Sequence, residues 1–104
     1  NLMNRDSLAQ IADFLLPTQG VDTVVAFGIR RNKVILSARS NDSSIHIGKL
    51  LSTNFPEGLA GGHKSLGGGQ IPFNIITQED SDTEVGNHNV IMKDTLKLLQ
   101  DIFS

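Results

Sequence analysis

Six of the ten glycines in this 104-residue chain fall within twelve positions, in the string Gly58-Leu59-Ala60-Gly61-Gly62-His63-Lys64-Ser65-Leu66-Gly67-Gly68-Gly69. Glycine loses more conformational freedom on folding than any other residue, so this density implies positive φ angles or a close approach of the backbone to something else. Ordinary turns need only one or two glycines. A run of bare backbone N–H groups makes an anion cradle, and His63, Lys64 and Ser65 add side-chain donors to it. The segment reads as a phosphate or carboxylate site, with a plain surface loop as the alternative.

A second group with suitable chemistry is Arg39, at the end of a mostly apolar run in Ser37-Ala38-Arg39-Ser40. Ser37 and Arg39 are two apart, so on a strand they leave the same face. A guanidinium beside hydroxyls suits bidentate binding of phosphate or carboxylate; the structural alternative pairs it with an acid of the C-terminal helix. Net charge over the whole chain is −2, which argues against a broad grip on nucleic acid. Residues 30–64, however, hold six basic and two acidic side chains against three and nine in the remainder. That local excess would focus a positive potential near the glycines if the fold brings these positions together. Arg30, Arg31 and Lys33 themselves read as the solvated turn of a hairpin.

Other chemistries find less support. The segment 58–65 has His63 where a phosphate-binding Walker loop requires its second glycine, and no strand precedes it. Gly58-Leu59-Ala60-Gly61 matches the four-residue GXXG of KH domains, a weak match that describes the same kind of backbone clamp. His46, His63 and His88 share no metal-ligand spacing, and no Asp-His-His run is present. His46 and His88 read as exposed helix and loop residues, and His63 as an imidazole that contacts ligand. The absence of Cys excludes thiol nucleophiles, disulfides and cysteine-ligated metals. Ser65 has no evident base beyond His63, so no residue is read as catalytic and none as a metal ligand. Five Phe with no Trp or Tyr leave few platforms on which bases could stack.

Hydrophobic periodicity supplies the frame. Leu8, Ile11, Ala12 and Leu15 recur at helical spacing over residues 4–16, and Pro17 and Gly20 end that helix. Residues 21–29 form an apolar, β-branched run that reads as a strand buried on both faces. Residues 33–40 alternate, and the short polar link Arg30-Arg31-Asn32 joins the two as an antiparallel hairpin. A capping cluster over 41–44 precedes a short helix over 45–53, with Ile47, Leu50 and Leu51 inward. Residues 71–77 predict a third strand, 78–87 a polar, acidic loop, and 90–103 a closing helix with Ile91, Leu98, Leu99 and Ile102 on one face. No repeat or linker divides the chain, so residues 1–104 read as one α/β (α+β) domain, a small mixed sheet flanked by helices. No apolar run nears the roughly 20 residues that span a bilayer and no signal-like segment opens the chain, which predicts a cytoplasmic protein with no membrane partner. The start at Asn1 rather than Met reads as a fragment of a longer protein.

Taken together, Ser37-Ala38-Arg39-Ser40 and Gly61-Gly62-His63, separated by a short helix, resemble the DHH-associated C-terminal domain of the DHH phosphoesterase superfamily. That superfamily includes RecJ-like exonucleases, nano-RNases with phosphatase activity on phosphoadenosine phosphate, and exopolyphosphatase-related proteins. Two departures from the usual pattern are Ala60, where a third glycine is common, and Leu66-Gly67, where two alanines are common. The resemblance implies an N-terminal DHH domain on the same parent chain that carries the Asp-His-His motif and two manganese ions. It implies that the present domain grips a short oligonucleotide or nucleotide phosphate, with Arg39, Ser37 and Ser40 on phosphate or base. Gly61, Gly62 and His63 would hold a terminal phosphate, with Lys64 as a further donor. The alternative is a non-catalytic nucleotide- or RNA-binding regulatory module.

Overall fold

The computed structural model describes residues 5–77 and 88–104. Helix α1 (Arg5–Leu15) leads into the two apolar runs, which form β1 (Thr23–Arg30) and β2 (Lys33–Ser40). These pair antiparallel from Thr23 against Ser40 to Arg30 against Lys33. Their two-residue connection holds Arg31 at a φ of 59°, the left-handed geometry that tight hairpins demand. After α2 (Ile47–Asn54) come β3 (Ala60–Gly62), β4 (Leu66–Pro72), a single helical turn α3 (Phe73–Ile76) and α4 (His88–Phe103). Strand order is β1-β2-β4-β3, with every pairing antiparallel. The α/β domain expected from the sequence is present, and its sheet is antiparallel throughout rather than mixed.

Strand alternation divides the sheet into two faces. On one, Val34, Leu36, Ala38 and Ile71 pack with Ile47, Leu51 and Phe55 from the α2 segment and with Ile91 and Leu99 from α4. Each large apolar side chain buried there contributes about 1.5–3 kcal/mol, so α2 and α4 anchor the sheet. Ile35, Ser37 and Arg39 leave the other face, where α1 lies over β1 and β2 and buries Leu8 and Ala12.

Two expectations need correction. The strand expected over 71–77 begins earlier, at Leu66, and ends at Pro72, while Phe73–Ile76 forms a helical turn. Glycines 67–69 carry no side-chain alternation to reveal a strand, and Pro72, which lacks an N–H, closes the ladder. On α1, Ile11 and Leu15 are 45% and 42% exposed rather than inward, because a platform of two strands covers only the narrow Leu8–Ala12 stripe. The acidic loop expected over 78–87 lies outside the described residues.

Candidate phosphate-binding site

The glycine string folds as a hairpin rather than a loop. β3 and β4 pair Ala60 with Gly69, Gly61 with Gly68 and Gly62 with Gly67, and the chain turns at His63, Lys64 and Ser65. Most of these glycines answer to the chain's own packing. Gly58 and Gly62 hold φ angles of 87° and 152°, where an L side chain is strained. A Cβ on Gly67 would stand 2.5 Å from the Gly61 carbonyl oxygen and 3.0 Å from Ile47 Cγ2. One on Gly48 would collide with the Gly62 carbonyl. The bare backbone lets α2 seat directly on the hairpin, where Gly48 N–H donates to the His63 carbonyl and Ile47 N–H to the Lys64 carbonyl, both at 2.8 Å.

Gly61 is the exception. Its φ is not positive, and a Cβ there would meet nothing within 4 Å. The register sets Gly61 and Gly68 abreast of Ser37 on the α1 face, on the two strands beyond those on which α1 is seated. There a cleft of about 400 Å³ opens, lined by Ser37, Arg39, Gly61, His63, Leu66 and Gly68, with Gly62 and Ala9 of α1 beside them.

Arg39 is the charged group of this cleft, with a side chain only 16% exposed. Its Nε donates to Asp13 Oδ1 at 2.9 Å, and its Nη1 to the Ala38 carbonyl at 2.8 Å and to Ser37 Oγ at 3.3 Å. These bonds fix the guanidinium plane, while Nη2 makes no hydrogen bond among the described residues. The acid partner lies on the N-terminal helix, not on the C-terminal one that the sequence left open. Ser37 is buried beside it. His63 is exposed at the turn, its N–H bonded to the Leu66 carbonyl at 2.7 Å.

Two of the expected residues are placed elsewhere. The buried Ser40 hydroxyl shares a hydrogen bond of 2.9 Å with Thr23 Oγ1, donates to the Asp22 carbonyl and accepts from the Asp42 N–H. Lys64 Nζ donates to the Ser43 carbonyl at 2.7 Å and the Ile45 carbonyl at 3.4 Å, which ties the turn to the lead-in of α2. The backbone N–H groups are not a free run either. His63 N–H bonds to Leu66 and Gln70 N–H to Leu59, so by the alternation of an antiparallel ladder Gly61 serves Gly68 and only Ala60 and Gly62 face the outer edge.

Sequence reasoning missed Asp13, because a contact across 26 residues leaves no local signal. It also missed His46, which caps α2 by accepting the Lys49 N–H on Nδ1 at 3.1 Å. Caps are usually Ser, Thr, Asp or Asn, and those residues at 41–44 make a turn of their own instead. There Asp42 accepts from the Ser44 hydroxyl at 2.6 Å and the Ser44 N–H at 2.9 Å. Those two bonds, with a smaller contribution from the Lys64 charge, hold its carboxyl below the usual carboxylate range. His88, exposed at the start of α4, stands edge-on to Phe73 with ring centroids 6.0 Å apart. Among the described residues no three His, Cys, Asp or Glu side chains come together to hold a metal ion. No described helix is long and apolar enough to cross a membrane.

An antiparallel sheet flanked by helices, with an uncovered glycine floor beside a fixed arginine, defines a small α/β domain suited to a compact anion. The chain matches the DHHA1 domain family over residues 1–82 and belongs to it, the DHH-associated C-terminal domain of the DHH phosphoesterase superfamily. It is 36% identical over 75 residues to an uncharacterized protein of Methanocaldococcus jannaschii, MJ1633, a similarity that spans 72% of this chain and 15% of that protein. No solved structure matches it.

Proposed function

We propose that this domain is the substrate-holding part of a DHH-family phosphoesterase that hydrolyses short oligonucleotides or related phosphate esters. The observation that carries the reading is Gly61, a glycine required neither by backbone angle nor by packing, which leaves open floor next to Arg39 and Ser37. Membership in the DHHA1 family supports it. A terminal phosphate set over Gly61 and Gly68 would meet the unbonded Nη2 of Arg39 on one side and His63 at the turn. Holding and neutralising that phosphate is the domain's share of the work, and positioning with charge stabilisation is a large part of phosphoryl transfer. In the superfamily the manganese ions belong to the DHH domain, so hydrolysis is assigned to a DHH domain of the parent protein.

Titration of the isotopically labelled chain with adenosine monophosphate and with pyrophosphate tests the reading by NMR. Amides from Gly61 to Lys64 should shift at millimolar ligand. Arg39→Ala should weaken binding by about 1.5–3 kcal/mol, as expected for a lost charge-assisted hydrogen bond. Stationary amides, or an unchanged affinity in the variant, would sink it.

A further inference from the structure

We propose that the cleft continues into a distal subsite, marked by Lys33, Arg30 and Gln70, that takes the backbone phosphates of an oligonucleotide a few units long. The proposal rests on the reading that a terminal phosphate lies at Arg39, and adds to it a length-dependent grip at the far end of the same face. Continuity is the first observation. A second depression, of about 610 Å³, shares Gly61, Gly62 and Gly68 with the first and runs on to Gln70 and Lys33.

Register is the second. Lys33, Ile35, Ser37 and Arg39 leave one face of β2 in succession, Gln70 stands opposite Ile35, and Arg30 stands directly opposite Lys33. Two cations facing each other across a strand pair destabilise the pair. Among the described residues nothing offsets them, since Arg30, Lys33 and Gln70 are all exposed and none makes a side-chain hydrogen bond or ion pair with a described residue. Both charges stand on the face that carries Arg39. A polyanion lying along that face would supply a counter-charge that no described residue gives.

Spacing selects the ligand. Lys33 and Arg39 are six residues apart on one strand, or roughly 20 Å, too far for one phosphate or one mononucleotide. A stacked strand repeats about every 3.4 Å per nucleotide, so the span suits roughly three to six units, fewer when the chain is extended. The floor between the charges is mostly glycine backbone, which admits a phosphate-linked chain whatever its bases.

Binding of 5′-phosphorylated oligoadenylates of one, two, three and five nucleotides, measured by calorimetry at several salt concentrations, tests this. Affinity should climb with length in the wild-type chain. Lys33→Ala should leave adenosine monophosphate binding unchanged and weaken the pentamer roughly 1.5- to fivefold, the range of an exposed ion pair. The log–log salt slope for the pentamer should flatten by about 0.7. Affinity that does not vary with length, or a Lys33→Ala effect as large on the mononucleotide as on the pentamer, overturns the distal subsite. Arg39→Ala should weaken every length alike; if it changes none while Lys33→Ala still removes the climb, the distal subsite stands and the terminal-phosphate reading falls. A Lys33 dependence seen with linear polyphosphate but absent with oligoadenylate would overturn the choice of ligand.

Discussion

Gly61 and Gly62 are neighbours with opposite reasons for being glycine, and that difference separates the candidate site from its scaffold. Alanine at Gly62 must hold a φ of 152° and press its Cβ into Gly67 Cα and the Leu66 carbonyl. Backbone strain of that kind alone costs about 1–3 kcal/mol, so Gly62→Ala should lower the thermal midpoint. Gly61→Ala should leave it unchanged, or raise stability by about 0.4–1 kcal/mol through the less flexible unfolded chain, yet weaken adenosine monophosphate binding because the new methyl stands in the cleft. Should Gly61→Ala melt as early as Gly62→Ala, the open floor is structural only. Ser37 and Arg39 could be set on one face from the sequence because strand alternation is a local property, and the Gly61-Gly62-His63 run stood out by glycine density alone. Ser40 and Lys64 were not, since the partners that take their polar atoms come from across the hairpin at Thr23 and from Ser43, 21 residues away.

At the level of elements, the glycine density marks a helix lying on a hairpin. β1 and β2 could be read from their side chains, and so could the inward residues Ile47 and Leu51 of α2 and Ile91 and Leu99 of α4. β3 and most of β4 could not, because a strand of bare backbone has no alternation and is recognised only by what pairs with it. The lead-in to α2 holds this seat through the Asp42 turn, the His46 cap and the Lys64 ammonium on two carbonyls. Asp42 gives the arrangement a pH signature. Its folded carboxyl sits below the ordinary 3.8, so the unfolded chain binds the proton more readily. The stabilisation is therefore fully present above the ordinary value and is lost as pH falls through the folded one. Asp42→Asn should be less stable than wild type at neutral pH, with the gap in urea midpoints closing as the pH is taken below 3.8. A gap that persists at the acid end would mean that the ionised carboxylate is not what holds the turn.

For the whole molecule, the stretch matched by the DHHA1 family ends at residue 82, whereas the core does not. Ile91 and Leu99 of α4 are 4% and 5% exposed, and Thr95 between them is fully buried with its hydroxyl donated to the Ile91 carbonyl at 2.7 Å. They share one core with Val34, Leu36 and Ala38, the β2 residues whose neighbours Ser37 and Arg39 serve the opposite face, and α4 itself lies against β1, α2 and α3. α4 thus supports the back of the β1–β2 hairpin whose second strand presents the guanidinium. Burial of the two aliphatic side chains is worth about 3–6 kcal/mol together, against a total stability of about 5–15 kcal/mol for a domain of this size. A chain cut after residue 82 should therefore lose most or all of its cooperative thermal transition in circular dichroism and show collapsed amide dispersion by NMR. Its adenosine monophosphate binding should vanish as well, although every residue of the cleft remains in the sequence. A truncated chain that melts cooperatively within a few degrees of the full one, and still binds, would show that α4 is an appendage rather than part of the fold that holds Arg39 in place.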